Sequence, residues 1–290
     1  MQYRAPTDLA DVAALLASAD GQGRVLAGGT DLLARFAAGM PKPALIVDIK
    51  HIAELMVIEQ HGDGSFTVGA GVCGAAISEH AALCREWPGV TEAMDLIGSV
   101  QIQGRASLGG NLCNASPAAD SVPALMAAGA SCRILGSRGE RHVAVADIIQ
   151  SPGKTCLASD EFVVSFQLPP RPAGSADAYL RLIPRSEMDI AVAGAAVNLT
   201  LDSTGVVVAA TVAVGAVAPV PLLLPRAAEI LLGTTLNEEI MARFKARVSA
   251  SCRPINDKRG TIDYRNHVAG VLASRAALIA GQRAAVQESP

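Results

Sequence analysis

The sequence predicts an α+β protein in two parts: an N-terminal domain built from a small β-α-β unit and a larger α/β portion, then a smaller C-terminal domain of antiparallel sheet and helices. Three observations predict it. Short apolar strands break into glycines and feed helices within the first half of the chain. A Pro-Pro-Arg-Pro-Ala-Gly run at 169–174 reads as a linker. Beyond it, two long apolar runs flank the turn Asp202-Ser203-Thr204-Gly205, and only helical patterns follow.

Taken in order, Thr7 is placed to cap the helical pattern DLADVAALLASA, and Gly21 and Gly23 stop it. RVLAGGTDLLARFAAG then gives a strand that breaks at Gly28-Gly29 into a second helix. Met-Pro-Lys-Pro at 40–43 ends that helix, and ALIVDI reads as a buried strand parallel to the first. SFTVGAGV alternates like a strand, while 75–84 and 91–100 each read as one helix. GRASLGGNLCNASPAAD reads as a long glycine-rich loop before the helix SVPALMAAGA, and a loop of that length is expected to carry function. Residues 132–168 return to strand character. In the second domain, helices are expected near 225–232, 237–251 and 264–281. The predicted boundaries are 1–172 and 177–285.

Composition narrows the class. With 290 residues, half of them apolar, the chain can bury a substantial core. A net charge of -3 with 3% aromatic residues argues against nucleic acid, which requires a basic face or stacking platforms. No apolar run is long enough to span a bilayer, and Asp8 and Asp11 interrupt the first apolar stretch, so a cytoplasmic location is expected. The six cysteines are scattered without a C-x-x-C pair and read as reduced thiols. His80 and Cys84 stand at i, i+4, too few to make a metal site, and none is expected.

Three glycine-rich segments differ in what they offer. Gly69-Ala-Gly71-Val-Cys-Gly74 matches the dinucleotide fingerprint, but the acidic strand end expected about 20 residues later is replaced by Trp87-Pro88-Gly89, so it reads as a tight strand-to-helix turn. Ala27-Gly28-Gly29-Thr30-Asp31 ends an apolar strand and opens a helix, where Thr30 or Asp31 can cap and bare N–H groups can meet an anion. Taken alone it is also compatible with a structural turn. Ser107-Leu108-Gly109-Gly110-Asn111, followed by Asn114 and Ser116 and then Asp120, supplies a second glycine pair with hydroxyls and amides. Asp120 is equally suited to capping a helix and to accepting from a sugar or ribityl hydroxyl. Two Gly-Gly segments can clasp the two phosphates of one dinucleotide.

These two segments, about 80 residues apart, resemble the FAD-binding subunit of the molybdenum hydroxylases, the family of xanthine dehydrogenase and the medium subunit of carbon monoxide dehydrogenase. The likeness extends through PRSEMDIAVAGAAVNL, VAVGAVAPVPLLLPRAAEILLG and DYRNHVAGVLASRAA, nearly the whole chain. It implies a two-part FAD-binding domain followed by a three-stranded antiparallel sheet with helices. It places the pyrophosphate on Val25, Leu26, Ala27, Gly28, Gly29, Thr30, Asp31 and Leu32 and on Ser107, Leu108, Gly109, Gly110 and Asn111, with Asp120 on a flavin hydroxyl chain; Asn114 and Ser116 are the further hydrogen-bonding candidates read from the segment itself. Ile97, Val163 and Arg181 match further flavin contacts, Arg181 standing where relatives often carry lysine.

The resemblance also implies partners. A large subunit holds the molybdopterin, a small subunit holds [2Fe–2S] clusters, and FAD on this chain passes electrons to an external acceptor. The residues agree in what they lack: no cluster-binding cysteine groups, no Gly-x-Ser-x-Gly elbow and no paired acids stand out. The expected assembly is a heterotrimer. The alternatives are a free-standing FAD-dependent oxidase or reductase and a flavin-free assembly subunit.

Overall fold

A computed structural model describes residues 1–287. Its first unit is a three-stranded parallel sheet made of β1 (Gln2–Arg4), β2 (Gly23–Leu26) and β3 (Leu45–Asp48), with β3 in the middle. Between the strands run α1 (Leu9–Ser18) and α2 (Leu32–Ala37). The α1 cap is Asp8 rather than Thr7: Asp8 is extended, and its Oδ1 accepts from the Asp11 N–H at 2.8 Å. Val12 and Leu16 of α1 pack on Leu45 and Val47 of β3, and this cluster also takes in Phe162 and Val164 from a later strand, which fuses the small unit to the larger one.

The larger unit contains β4 (Ile58–Gln60), β5 (Phe66–Gly69), β6 (Ser131–Gly136), β7 (Gly139–Ala144), a two-stranded hairpin of β8 (Ile149–Ser151) and β9 (Lys154–Thr155), and β10 (Phe162–Leu168). Its main sheet has the order β4-β5-β10-β6-β7 and is antiparallel throughout. Here β10 is buried along almost its whole length, because it is central and covered on both faces.

The helices of this unit differ from the sequence expectation at three places. Residues 75–84 form two helices, α3 (Gly74–Glu79) and α4 (Ala81–Glu86), because His80 turns extended and its Nδ1 caps the second by accepting from the Leu83 N–H at 3.1 Å. Cys84 donates its thiol to backbone carbonyls of Ile77 and Ser78, so both members of the i, i+4 pair have local duties. The expected helix at 91–100 begins earlier, at Pro88, as α5 (Pro88–Asp95); Gly98 at φ +66° separates it from α6 (Val100–Gln103). Part of the supposed loop at 104–120 is helical: α7 (Leu108–Cys113) carries both glycines inside it, with Ser107 as its cap. Pro117 and Asp120 then lead to α8 (Ser121–Ala127).

The C-terminal unit has β11 (Ser175–Leu182), β12 (Ala193–Leu201), β13 (Val207–Gly215) and a short β14 (Leu222–Leu223), paired antiparallel in that order. The sheet therefore has four strands rather than the expected three, because the chain doubles back after β13 and sets Leu222 and Leu223 against Val214 and Ala213. The β12–β13 turn forms as expected: Asp202 Oδ1 accepts from the N–H groups of Thr204 and Val206, and Gly205 takes φ +78°. Three helices follow, α9 (Pro225–Ala228), α10 (Glu238–Ser251) and α11 (Ile262–Gln287). Ala269, Ala273, Ala276, Ala280 and Ala284 line the buried face of α11, and their small side chains let it lie close on β11 and β12.

The two halves meet along β11. Asp177, Tyr179 and Arg181 share one face of that strand by its alternating periodicity. All three reach N-terminal residues: Asp177 pairs with Arg171, and Tyr179 and Arg181 both reach Asp120.

Candidate cofactor site

A cleft of about 580 Å³ opens between the small parallel unit and the five-stranded unit. That volume falls within the range of roughly 300–1,000 Å³ usual for cofactor sites. Val25, Leu26, Ala27, Gly28, Gly29, Thr30, Asp31 and Leu32 form one wall. Ser107, Gly109, Gly110, Asn111 and Asn114 form the facing wall, and Ile97 and Val163 also line the space. The structure thus brings fifteen of the sequence-derived positions to one cavity.

Close backbone approach explains the glycines. A Cβ on Gly28 would lie 1.8 Å from the Arg105 carbonyl oxygen, so this residue sits directly against the segment leading into α7. Gly29 adopts φ +80°, the left-handed conformation that glycine takes without strain. The resulting turn leaves donors free: among the described residues, the backbone N–H groups of Gly28, Gly29, Thr30 and Asp31 meet no protein acceptor. Consecutive bare N–H groups around such a turn make an anion-binding concavity. Neither Thr30 nor Asp31 caps α2 with its side chain, so that end is uncommitted too. Burial pushes the Asp31 carboxyl above its ordinary range, with nearby Arg35 opposing the shift.

The second glycine pair works differently from the first. Gly109 and Gly110 are helical, so positive φ is not their purpose. A Cβ on Gly109 would lie 2.6 Å from the Ala70 carbonyl oxygen, which accepts the Gly109 N–H at 3.2 Å. A Cβ on Gly110 would meet only Ser107 Oγ at 3.4 Å and otherwise point into free space. Gly109 therefore lets α7 lie against its support, and Gly110 keeps the cleft open. The support is the Gly69–Gly74 turn, whose Gly74 N–H donates to the Ala106 carbonyl at 2.8 Å. That turn backs the wall formed by α7, and Ala70 reaches the cleft surface.

Four of the expected residues stand outside the cavity. Leu108 is fully buried in the main core, and Ser116 uses its Oγ to accept the Ala118 N–H at 3.2 Å. Asp120 and Arg181 are paired with each other at 2.6 Å behind the wall, and Tyr179 also donates to Asp120. Burial raises the Asp120 carboxyl above its ordinary range, against the opposing pull of Arg181 and of the Tyr179 hydroxyl. Sequence reasoning missed the opposite rim, where the β8–β9 hairpin brings Lys154 and Thr155, followed by Leu157 and Ala158. Its signal was the Ser-Pro-Gly-Lys turn at 151–154, legible as a hairpin tip but silent about what it faces.

A dinucleotide such as FAD fits this arrangement. The cleft lies between two backbone walls, has uncommitted donors at one turn, and would be narrowed by a side chain at Gly110.

Comparison with known proteins agrees. Residues 1–171 match the family described as FAD binding domain in molybdopterin dehydrogenase, and residues 178–280 match the CO dehydrogenase flavoprotein C-terminal domain. The carbon monoxide dehydrogenase medium chain of Afipia carboxidovorans is 34% identical over 97% of both chains. The xanthine dehydrogenase FAD-binding subunit of Escherichia coli is 32% identical over 92% of this chain and 91% of its own length. Among solved structures, a cyanide-inactivated Cu,Mo-CO dehydrogenase superimposes with a TM-score of 0.93 at 32% identity, covering 97% of this chain and 98% of that one. Quinoline 2-oxidoreductase from Pseudomonas putida gives 0.90 at 28% identity, covering 98% of each chain. Shared domains, near-complete coverage and a common fold show that this chain belongs to the molybdopterin dehydrogenase FAD-binding family, as the flavin subunit of an oxidoreductase.

Proposed function

We propose that this chain holds one FAD noncovalently in the cleft and relays electrons within a heterotrimer of the cytoplasm. The electrons arrive from [2Fe–2S] clusters on a small partner subunit, originate at a molybdopterin centre on a large one, and leave to an external acceptor. The observation that carries the reading is the single cavity shared by both glycine walls, with free N–H groups at Gly28–Asp31.

Bound FAD exchanges electrons singly or in pairs, which suits a link between one-electron clusters and a two-electron acceptor. The protein's part is binding and placement. The free backbone N–H groups of residues 28–31, within the wall 25–32, would cradle the pyrophosphate, and 107–111 would close over it from the facing wall, where Gly110 leaves room. Ile97 and Val163 supply apolar surface, and Asn111 and Asn114 supply amides. Asp120 and Arg181 act from behind the wall.

Among the described residues no group of three or more histidine, cysteine or acidic side chains is placed to hold a metal, and no helix is long and apolar enough to cross a membrane. Coexpression with large and small partner subunits of this family tests the proposal. The expected result is a complex in which substrate reduces the flavin, while the FAD-loaded chain alone is not reduced by it. A lone chain that turns over substrate would instead establish a free-standing flavoenzyme, and a complex without flavin would establish an assembly subunit.

A further inference from the structure

The C-terminal sheet grips the segment that follows the second glycine wall. The Ala216 N–H donates to the Pro117 carbonyl at 2.7 Å. The Tyr179 hydroxyl donates to Asp120 Oδ1 at 2.9 Å, and Arg181 Nη1 donates to Asp120 Oδ2 at 2.6 Å. From there the connection runs inward: Ser121, the next residue, gives its hydroxyl at 2.7 Å and its N–H at 3.3 Å to Oδ1 of Asn111, which stands on the cleft wall.

Tyr179 is the telling member. It is 2% exposed, and the carboxylate of Asp120 is the partner of its hydroxyl. Phenylalanine would fill the same core volume without burying a polar group, so packing alone does not call for the hydroxyl. The neighbouring strand makes room for it, since residue 194 is glycine and a Cβ there would lie 2.4 Å from the tyrosine oxygen. Arg181 by itself reaches only one carboxylate oxygen and leaves its buried Nε without a partner, a contact about which the carboxylate can pivot. The second donor, on the other oxygen, fixes the plane.

We propose that Tyr179 is a positioning residue for the FAD site, acting through Asp120 and Ser121 on Asn111 and so on the wall 107–111. The C-terminal domain thereby sets the geometry of a cavity it does not itself line. This inference rests on the FAD reading above.

The test is a flavin-fluorescence titration of the full chain with FAD, paired with thermal unfolding of the FAD-free protein. Y179F should weaken FAD binding by about tenfold, the effect of losing one hydrogen bond to a charged group, with a small change in Tm. G194A, which crowds the hydroxyl from the other side, should weaken binding in the same direction. Y179F combined with D120N should bind no more weakly than D120N alone, because the tyrosine acts through that carboxylate. A lowered Tm with FAD affinity kept within about twofold would show a merely structural tyrosine and overturn the proposal. Additive losses in the double variant would overturn it too. Wild-type chain that takes up no FAD would overturn the functional reading itself, an outcome distinct from both.

Discussion

Gly28 on the first glycine segment touches the backbone of Arg105 on the second so closely that a Cβ would lie 1.8 Å from the Arg105 oxygen. Because the neighbour is backbone rather than a flexible side chain, any substitution must part the two walls. Gly28→Ala should lower stability by about 1–3 kcal/mol, the usual cost of overpacking, and should also lose FAD. Denaturant unfolding and flavin content measure the two effects, and an alanine variant equal to wild type in both would refute the contact.

Arg171 lies 3.9 Å over the Trp87 ring and 2.9 Å from Asp177, with both charged side chains almost wholly buried. Removing one partner strands the other charge. Arg171→Ala should therefore cost roughly 3–5 kcal/mol, whereas Arg171→Met with Asp177→Asn should recover most of it, since no net charge stays buried. Urea melts of the three proteins check this, and a double variant as unstable as the single one would contradict it.

Glu161 receives two hydrogen bonds of 2.8 Å from Arg141 and one from the Ala158 N–H. The Arg141 contact, opposed by partial desolvation, holds the carboxyl below the usual range. A lowered carboxylate stabilises the fold above its unfolded value of about 4.3 and loses that contribution as pH falls through the folded value. Glu161→Gln should lower stability modestly at neutrality, because the pair is partly exposed, and should converge with wild type in acid, so the acid limb below about pH 4.5 is flatter. Unfolding free energies across that interval decide it; an unchanged slope would show that the pair does not titrate as described.

The sequence showed more of the site than of the local folding around it. Gly28-Gly29 and Gly109-Gly110 were legible because glycine pairs at strand and helix ends have few other uses. The same low helix propensity made 107–113 read as loop, although Ser107 caps a helix there that its support on Ala70 stabilises. Thr7 and Asp8 are both good caps, and only the backbone conformation chooses between them. His80 broke a predicted helix because a ring nitrogen caps the next one, a role that residue type does not announce. Asp120 and Arg181 were both named as flavin contacts, yet their mutual pairing depends on β11 crossing behind α8, a tertiary fact with no local pattern. The hairpin bearing Lys154 went unnoticed for the same reason.

Gly110 offers the most direct test, because its missing side chain is open to the cleft and its helical backbone accepts any residue. Purified wild-type chain titrated with FAD should bind one equivalent, and Gly110→Val should bind none while keeping its far-UV circular dichroism and its Tm. Full FAD uptake by a folded Gly110→Val protein would place the cofactor elsewhere and contradict the account.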